Sequence, residues 1–289
     1  MKKIIKLLCC FILGVMLSGC EFTESIFSPE TIRTSVYPIE FITDYLYGDD
    51  AKVLSIYPDG ADYKTYDLTN KLISTYSNAD LLIYNGASEE NKIAVKFLNN
   101  NENIQIIDAM QGMSFKNGVE ELWLDPSNFL MIASNIKNGL LKLSPNKQAS
   151  ERIVDNYNEL KVEVSKIDVE LNTMVTESKY DTIVASNDLF RFLTKYELDV
   201  KVLNETNQYL SRTYDEVKSL ASSGKVKYLY VLKGEELPSR LTKFIEENKI
   251  EKIEINPLTL ITEDERNNNE NYITIMNDNV NKIKKELDK

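Results

Sequence analysis

The stretch NKQASERIVDNYNELKVEVSKIDVELNTMVTE, residues 146–177, has the most regular pattern in the chain and decides how the rest is organised. It contains no glycine or proline, and Pro145 stands just before it. Apolar side chains recur in it at alternating spacings of four and three residues: Ile153, Tyr157, Leu160, Val164, Ile167, Leu171 and Met174. This period predicts a single amphipathic helix, about 45 Å long at roughly 1.5 Å per residue. Its apolar stripe could form a dimer seam, but we favour a stiff connector that packs along both halves of the protein.

On each side of this helix, strand-like and helix-like segments alternate. Before it, the predicted strands are 31–37, 52–57, 80–84 and 104–108, and the predicted helices are 39–47, 68–77 and 89–99. After it, the predicted strands are 181–185, 199–203, 227–232 and 252–255, and the predicted helices are 190–196, 214–222, 239–248 and 272–287. Strands separated by helix-length connections favour parallel pairing. The fold class is therefore α/β, with two open parallel-sheet lobes, 31–144 and 178–289, joined by a long rigid connecting helix, 145–177.

The first twenty residues have the features of an export signal. Lysines at positions 2, 3 and 6 precede an apolar run over 7–17, which is too short to span a bilayer stably. The run ends in Leu-Ser-Gly-Cys at 17–20, which resembles the bacterial lipobox, although an ordinary signal peptide is the alternative. We expect residues 1–19 to be a signal peptide and 20–30 a lipidated spacer. Acyl chains such as palmitate on Cys20 would anchor the protein at the extracytoplasmic face of the cell membrane.

The composition excludes several classes of chemistry. The chain has no histidine, and two of its three cysteines, Cys9 and Cys10, lie in the predicted signal peptide. With Cys20 assigned to lipid, no disulfide, thiolate nucleophile or imidazole base remains. We therefore predict neither an enzyme nor a resident cofactor. The formal net charge of −11 argues against nucleic acid as a partner.

Four local motifs carry a family resemblance. They are Thr-Ser-Val-Tyr-Pro at 34–38, Ala-Asp-Leu-Leu-Ile-Tyr-Asn-Gly at 79–86, Leu-Trp-Leu-Asp-Pro at 122–126, and Asn-Pro-Leu at 256–258 followed by Tyr272. Together they resemble the solute-binding lipoproteins of bacterial zinc and manganese ABC importers. The resemblance implies metal-ion transport, a cleft between two lobes, and an ABC permease as partner. We expect a monomer.

That family holds its metal with three histidines and one carboxylate. The resemblance places Lys64, Glu121, Asn187 and Asn256 at these four positions. Zinc prefers imidazole nitrogen or thiolate sulfur, and neither is present. At ~4 Å and an effective dielectric constant near 20, Lys64 would cost a monovalent cation about 4 kcal/mol and a divalent ion about twice that. We therefore do not expect tight zinc binding at these positions.

The sequence is compatible with three other uses of the cleft. In the first, Lys64 fills the metal position, paired with Glu121 and hydrogen-bonded by Asn187 and Asn256, and the protein is a scaffold or an adhesin. In the second, Lys64 binds an anionic organic solute. In the third, oxygen ligands hold a hard cation such as manganese or calcium; the candidates are Asp62, Asp67, Glu121 and Asp188.

Overall fold

The structure is a computed structural model, and it describes residues 29–144, 146–203 and 210–288. The predicted signal peptide, Cys20, most of the predicted spacer and Pro145 lie outside the described residues. Among the residues that it does describe, no helix combines the length and apolar character needed to cross a membrane.

The N-terminal lobe is built on a four-stranded parallel sheet in the order β2-β1-β3-β4. A short 3-10 helix, Gly48–Asp50, precedes β2. Both faces of β3 are buried, as expected for a parallel strand covered by helices on both sides. In chain order the elements are β1 Thr31–Thr34, α1 Tyr37–Tyr47, β2 Lys52–Ser55, α2 Asn70–Tyr76, β3 Leu81–Tyr84, α3 Asn91–Asn100, β4 Gln105–Asp108, α4 Glu121–Leu124 and α5 Pro126–Leu143.

The first strand is shorter than its sequence pattern predicts. It ends at Thr34, and α1 begins at Tyr37 with Pro38 in its first turn. Proline has a backbone φ suited to the start of a helix and no N–H to donate, so the chain turns into α1 at this point. The turn brings the backbone N–H of Tyr37 to within 2.9 Å of the Thr259 carbonyl, in the other lobe.

The connecting helix α6 runs from Lys147 to Glu177 without a break. Asn146 caps its N-terminus, because the side chain accepts a hydrogen bond from the backbone N–H of Ala149. The helix packs against α1 and α5 along its inner face. The predicted stripe is buried there, apart from the half-buried Tyr157; its buried members are Ile153, Leu160, Val164, Ile167, Leu171 and Met174.

The C-terminal lobe repeats the same topology, with a parallel sheet in the order β6-β5-β7-β8. The segment after β5 is a 3-10 helix, Asp188–Tyr196, where the sequence predicted a helix over 190–196. In chain order the remaining elements are β5 Thr182–Ala185, β6 Asp199–Val202, α7 Leu210–Ser222, β7 Tyr228–Leu232, α8 Ser239–Glu247, β8 Glu251–Ile255, α9 Glu263–Asn267 and α10 Tyr272–Leu287. The predicted fold class of two parallel-sheet α/β lobes with a long helix between them is confirmed.

One apolar core extends through both lobes. Besides the stripe of α6, it includes Ile32 of β1 and Ile183 of β5. Helix α10 from the C-terminal lobe also packs against α6. At the centre, the ring of Tyr272 stacks on that of Phe129 with centroids 3.7 Å apart. Because the core is continuous, the two sheets are held in a fixed relative position.

A buried carboxylate lies beneath the carboxyl end of β3. Glu90 accepts hydrogen bonds from the backbone N–H of Asn85, at 2.9 Å, and from the hydroxyl of Tyr57, at 3.3 Å. Burial raises the pKa of Glu90 to about 7, although hydrogen bonds from Ser35, Asn85 and Tyr57 oppose the shift. Tyr57 in turn makes an edge contact with the ring of Tyr63.

Truncation of the inner stripe of α6 should destabilise the protein. We expect Leu160→Ala to lower the free energy of unfolding by about 2–5 kcal/mol, because it removes a fully buried side chain from the shared core. Val162→Ala, two residues along the same helix, is the matched control, since Val162 is 57% exposed. Urea denaturation of both variants measures the difference. Equal losses would contradict the packing of α6.

The buried carboxylate should make stability depend on pH. The folded-state pKa of Glu90 lies above the ordinary value of 4.5, so the stability that this group contributes is full below pH 4.5 and is lost as the pH rises through about 7. Glu90→Gln should therefore be more stable than the wild type at pH 8, by about 3 kcal/mol at most, with the advantage gone at pH 4.5. Glu89→Gln is the control, because its side chain is 85% exposed. Melting temperatures can be measured for both proteins at pH 5 to 8. A difference between wild type and Glu90→Gln that does not change with pH would refute this assignment.

Candidate functional site

A cleft of about 460 Å³ lies between the lobes at the carboxyl ends of the strands. In open parallel sheets, ligands bind at this edge, between two adjacent strands whose following connections run to opposite sides of the sheet. Both sheets have such a point, between β1 and β3 in the first and between β5 and β7 in the second. The loops after β2, β7 and β8 supply most of the lining, which includes Gly60, Asp62, Tyr63, Lys64, Lys233, Glu235, Asn256, Pro257, Leu260, Thr262 and Glu265, together with Glu120.

On the N-terminal side of the cleft, Lys64 forms an ion pair with Glu120. The ammonium Nζ donates to Oε1 at 2.9 Å. The glutamate is mostly buried, whereas the lysine side chain is 61% exposed. Tyr63 also binds the Glu120 carboxylate through its hydroxyl; burial, and then the charge of Glu120, raise the pKa of Tyr63 well above its ordinary value. The carboxylate is thus fixed, and the lysine reaches into the cleft from solvent.

On the C-terminal side, Glu265 is the centre of a second network. It caps α9, since its Oε2 accepts from both the backbone N–H and the hydroxyl of Thr262, each at 2.8 Å. Its Oε1 accepts from Lys233 Nζ at 2.6 Å and from Asn256 Nδ2 at 2.7 Å. Burial alone would raise the pKa of Glu265, but the hydrogen bonds from Lys233 and Thr262 prevail and lower it. The carboxylate is therefore ionised and fully engaged.

A third carboxylate lies beside the second network. Glu235 accepts from the Ser186 hydroxyl at 2.6 Å and from the backbone N–H of Leu232 at 2.8 Å, both on Oε2. These bonds tie the loop after β7 to the end of β5. The three glutamates of the cleft are thus held by donors from the protein itself.

The family resemblance places four residues at the positions of the metal ligands, and the structure brings two of them to the cleft. Lys64 and Asn256 line the cleft. Glu121 is outside the lining, and its carboxylate accepts from the backbone N–H and the side-chain amide of Asn117, each at 3.2 Å. Asn187 is also outside it and caps the 3-10 helix by accepting from Leu189 N–H at 2.8 Å.

The candidate oxygen ligands are likewise divided. Asp62 lines the cleft, but its carboxylate accepts from the backbone N–H of Lys64 and the hydroxyl of Thr65. Asp188 pairs with Arg191 at 2.5 Å. Asp67 and Asp188 are not among the lining residues.

Sequence reasoning missed Glu120, Lys233, Glu235 and Glu265. Glu265 carried a readable signal, because Thr262 and Glu265 have the spacing of a capping box. The family pattern indicated Glu121, whereas the residue that lines the cleft is Glu120. Adjacent residues on a helical turn point about 100° apart, so the two side chains face different directions. Lys233 and Glu235 follow β7 directly, and nothing in their spacing indicates that they meet Glu265 and Ser186.

The donor set of the cleft does not fit a tightly bound zinc ion. Within residues 29–144, 146–203 and 210–288, no three side chains from His, Cys, Asp and Glu are grouped so that they could hold a metal. The carboxylates that face the cleft already bind lysine, amide or hydroxyl groups. Zinc would compete with these donors and would gain no imidazole or thiolate ligand.

Several polar contacts join the lobes around the cleft. Arg266 of α9 donates two hydrogen bonds to the carboxylate of Asp59, at 2.7 and 2.8 Å, and contacts Glu40 at 3.0 Å. The indole N–H of Trp123 donates to the Pro257 carbonyl at 2.8 Å. A bidentate arginine–carboxylate pair is geometrically specific, and this one links the two lobes at the rim of the cleft.

Comparisons with known proteins agree with this architecture. Residues 32–286 match the family ZnuA, described as zinc-uptake complex component A, periplasmic. The chain is 27% identical over 245 residues to the manganese ABC transporter substrate-binding lipoprotein PsaA of Streptococcus pneumoniae, covering 76% of this chain and 77% of PsaA. It is 22% identical to the zinc-binding lipoprotein AdcA of the same species and spans 62% of AdcA's length.

Solved structures show the same fold. The Zn(II)-bound ZnuA-like domain of S. pneumoniae AdcA superposes with a TM-score of 0.72 at 21% sequence identity, over 90% of this chain and 99% of that domain. Bacillus subtilis YcdH, a metal-dependent lipoprotein, gives a TM-score of 0.73 at 20% identity, over 89% and 98%. Because the family match covers nearly all of the described residues, the chain belongs to the ZnuA family of solute-binding proteins of zinc and manganese ABC importers.

Proposed function

We propose that this protein is the lipid-anchored, extracytoplasmic solute-binding component of a bacterial ABC importer for metal ions. It would work as a monomer that delivers its cargo to a membrane permease. The observation that carries the proposal is the cleft between two parallel-sheet lobes, at the carboxyl ends of the strands, in a chain of the ZnuA family.

The names of the relatives support a metal as cargo. PsaA is named for manganese and AdcA for zinc. The cleft of this chain offers a different donor set from the imidazole-rich site that the family resemblance implies, with lysines, glutamates and an asparagine. Recognition of the cargo must therefore rely on charge and hydrogen bonding. Zinc–imidazole bonds, which hold the ion where histidines of the protein are its ligands, are not available here.

The arrangement of the cleft favours binding over catalysis. A catalytic lysine or glutamate needs a shifted pKa and access to the reacting atom. Here the pKa of Glu265 is lowered, which suits an ionised partner and not a general base. Lys64 and Lys233 are each paired with a carboxylate. We propose that the protein is not an enzyme.

Loss of the protein should impair metal accumulation. We expect a strain without the gene, grown in medium depleted of zinc and manganese, to contain less of at least one of the two metals, as measured by elemental analysis of washed cells. The wild-type gene and the surface variant Lys218→Gln should both restore the content. Unchanged zinc and manganese in the deleted strain would contradict a role in metal uptake.

Lipid attachment can be tested separately. In cells producing the wild type, immunoblots of fractions should place the protein in the membrane fraction. Replacement of Cys20 by serine removes the thiol that the lipid would modify, so the protein should leave the membrane fraction, because the apolar run before it is too short to anchor it. Ser18→Ala, which keeps the thiol, is the control. Membrane retention of Cys20→Ser would exclude the lipid anchor.

A further inference from the structure

Two lysines present unused hydrogen-bond donors to the cleft. Lys64 and Lys233 line it from opposite lobes. Each ammonium makes a single ion pair among the described residues, although it carries three N–H donors. The two lysine side chains are 61% and 47% exposed, so their remaining donors are available to a ligand.

One of the carboxylates, that of Glu265, has no acceptor site left. Glu265 accepts four hydrogen bonds, from Thr262, Lys233 and Asn256. Glu120 is engaged by Lys64 and Tyr63, and Glu235 by Ser186 and Leu232. A bare divalent cation would compete with these donors, and within the described residues no three His, Cys, Asp or Glu side chains are grouped to hold it.

The total charge of the lining sets a second condition. Two lysines face four carboxylates, those of Asp62, Glu120, Glu235 and Glu265. A free polycarboxylate would match the lysine donors but would be repelled by this excess of negative charge. A complex of the same anion with a metal ion keeps the outer oxygen atoms while the metal cancels most of the charge.

The size of the cleft is the third condition. About 460 Å³ lies within the range of pockets that bind small organic molecules and far exceeds what a single metal ion fills. The side chains of Tyr63, Pro257 and Leu260 add apolar surface to the lining. That surface suits the carbon skeleton of a small organic chelator.

We propose that the cleft binds a metal ion already complexed by a small polycarboxylate chelator, with Lys64 and Lys233 pairing with the chelator's free oxygens from opposite lobes. This inference rests on the proposed function of metal import. It assigns the metal's inner ligands to the chelator and the recognition of the complex to the protein.

Isothermal titration of the purified protein tests the proposal with three kinds of probe at pH 7: zinc or manganese chloride, the sodium salts of citrate and nitrilotriacetate, and the one-to-one metal complexes of these two chelators. At least one complex should bind with one-to-one stoichiometry, and about tenfold or more tightly than its free metal or free chelator. Lys64→Gln and Lys233→Gln should each weaken that binding by about tenfold, the effect of losing one charge-assisted hydrogen bond. Lys218→Gln, outside the cleft, should leave it unchanged.

Each other outcome overturns the inference. Equal or tighter binding of metal chloride would show that the protein supplies the metal ligands itself, and equal or tighter binding of free chelator would make the cargo an organic anion. Binding that neither lysine variant weakens would lie outside the cleft. If no complex binds, the inference fails, while the proposed role in metal uptake is still decided by the metal content of the deletion strain.

Discussion

The apolar inner face of α6 is the constraint on which the rest of the structure depends. Its side chains belong to the same core as those of β1 and β5, so a continuous apolar core joins the helix to both lobes. Each lobe also has a smaller cluster of its own, around Leu82 in the first and Val231 in the second. Burial of this face stabilises the folded state by roughly 25 cal/mol for each Å² of apolar surface removed from water. Buried areas taken relative to a fully extended chain give an upper bound on this stabilisation. The position of the cleft follows, because the carboxyl ends of both sheets are held facing each other across a fixed gap.

Within that gap, the charges are balanced locally on each wall. Lys64 and Glu120 come from the N-terminal lobe, and Lys233 and Glu265 from the C-terminal lobe. In each pair the glutamate is mostly buried and the lysine is more exposed. The carboxylate is therefore held in place, and the ammonium group at the end of the flexible lysine side chain is the group that can move. Arg266 adds a pair that crosses between the lobes at the rim. The two lobes are thus joined by polar contacts of their own, in addition to any contacts made through a ligand in the cleft.

Local patterns predicted much of the fold. The stripe from Ile153 to Met174 gave the connecting helix because one period persists over seven apolar positions, and strand–helix alternation gave two parallel sheets. The order of the strands and the early end of β1 at Thr34 depend on tertiary packing and on Pro38. The site was less predictable. Lys64 and Asn256 line the cleft, but the acid that meets Lys64 is Glu120, one residue before the position that the family pattern indicated. The pairing of Lys233 with Glu265 joins residues 32 positions apart and has no local signal.

The central claim is that the lysines of the cleft, and not a metal ion, neutralise its buried glutamates. A crystal structure of the protein grown with excess zinc at neutral pH, with anomalous diffraction recorded at the zinc edge, tests it most directly. The claim predicts both ion pairs in place and no anomalous peak within coordination distance, about 2.0–2.2 Å, of the Glu120 or Glu265 oxygens. A zinc peak bound to these carboxylates, with Lys64 and Lys233 displaced, would contradict it.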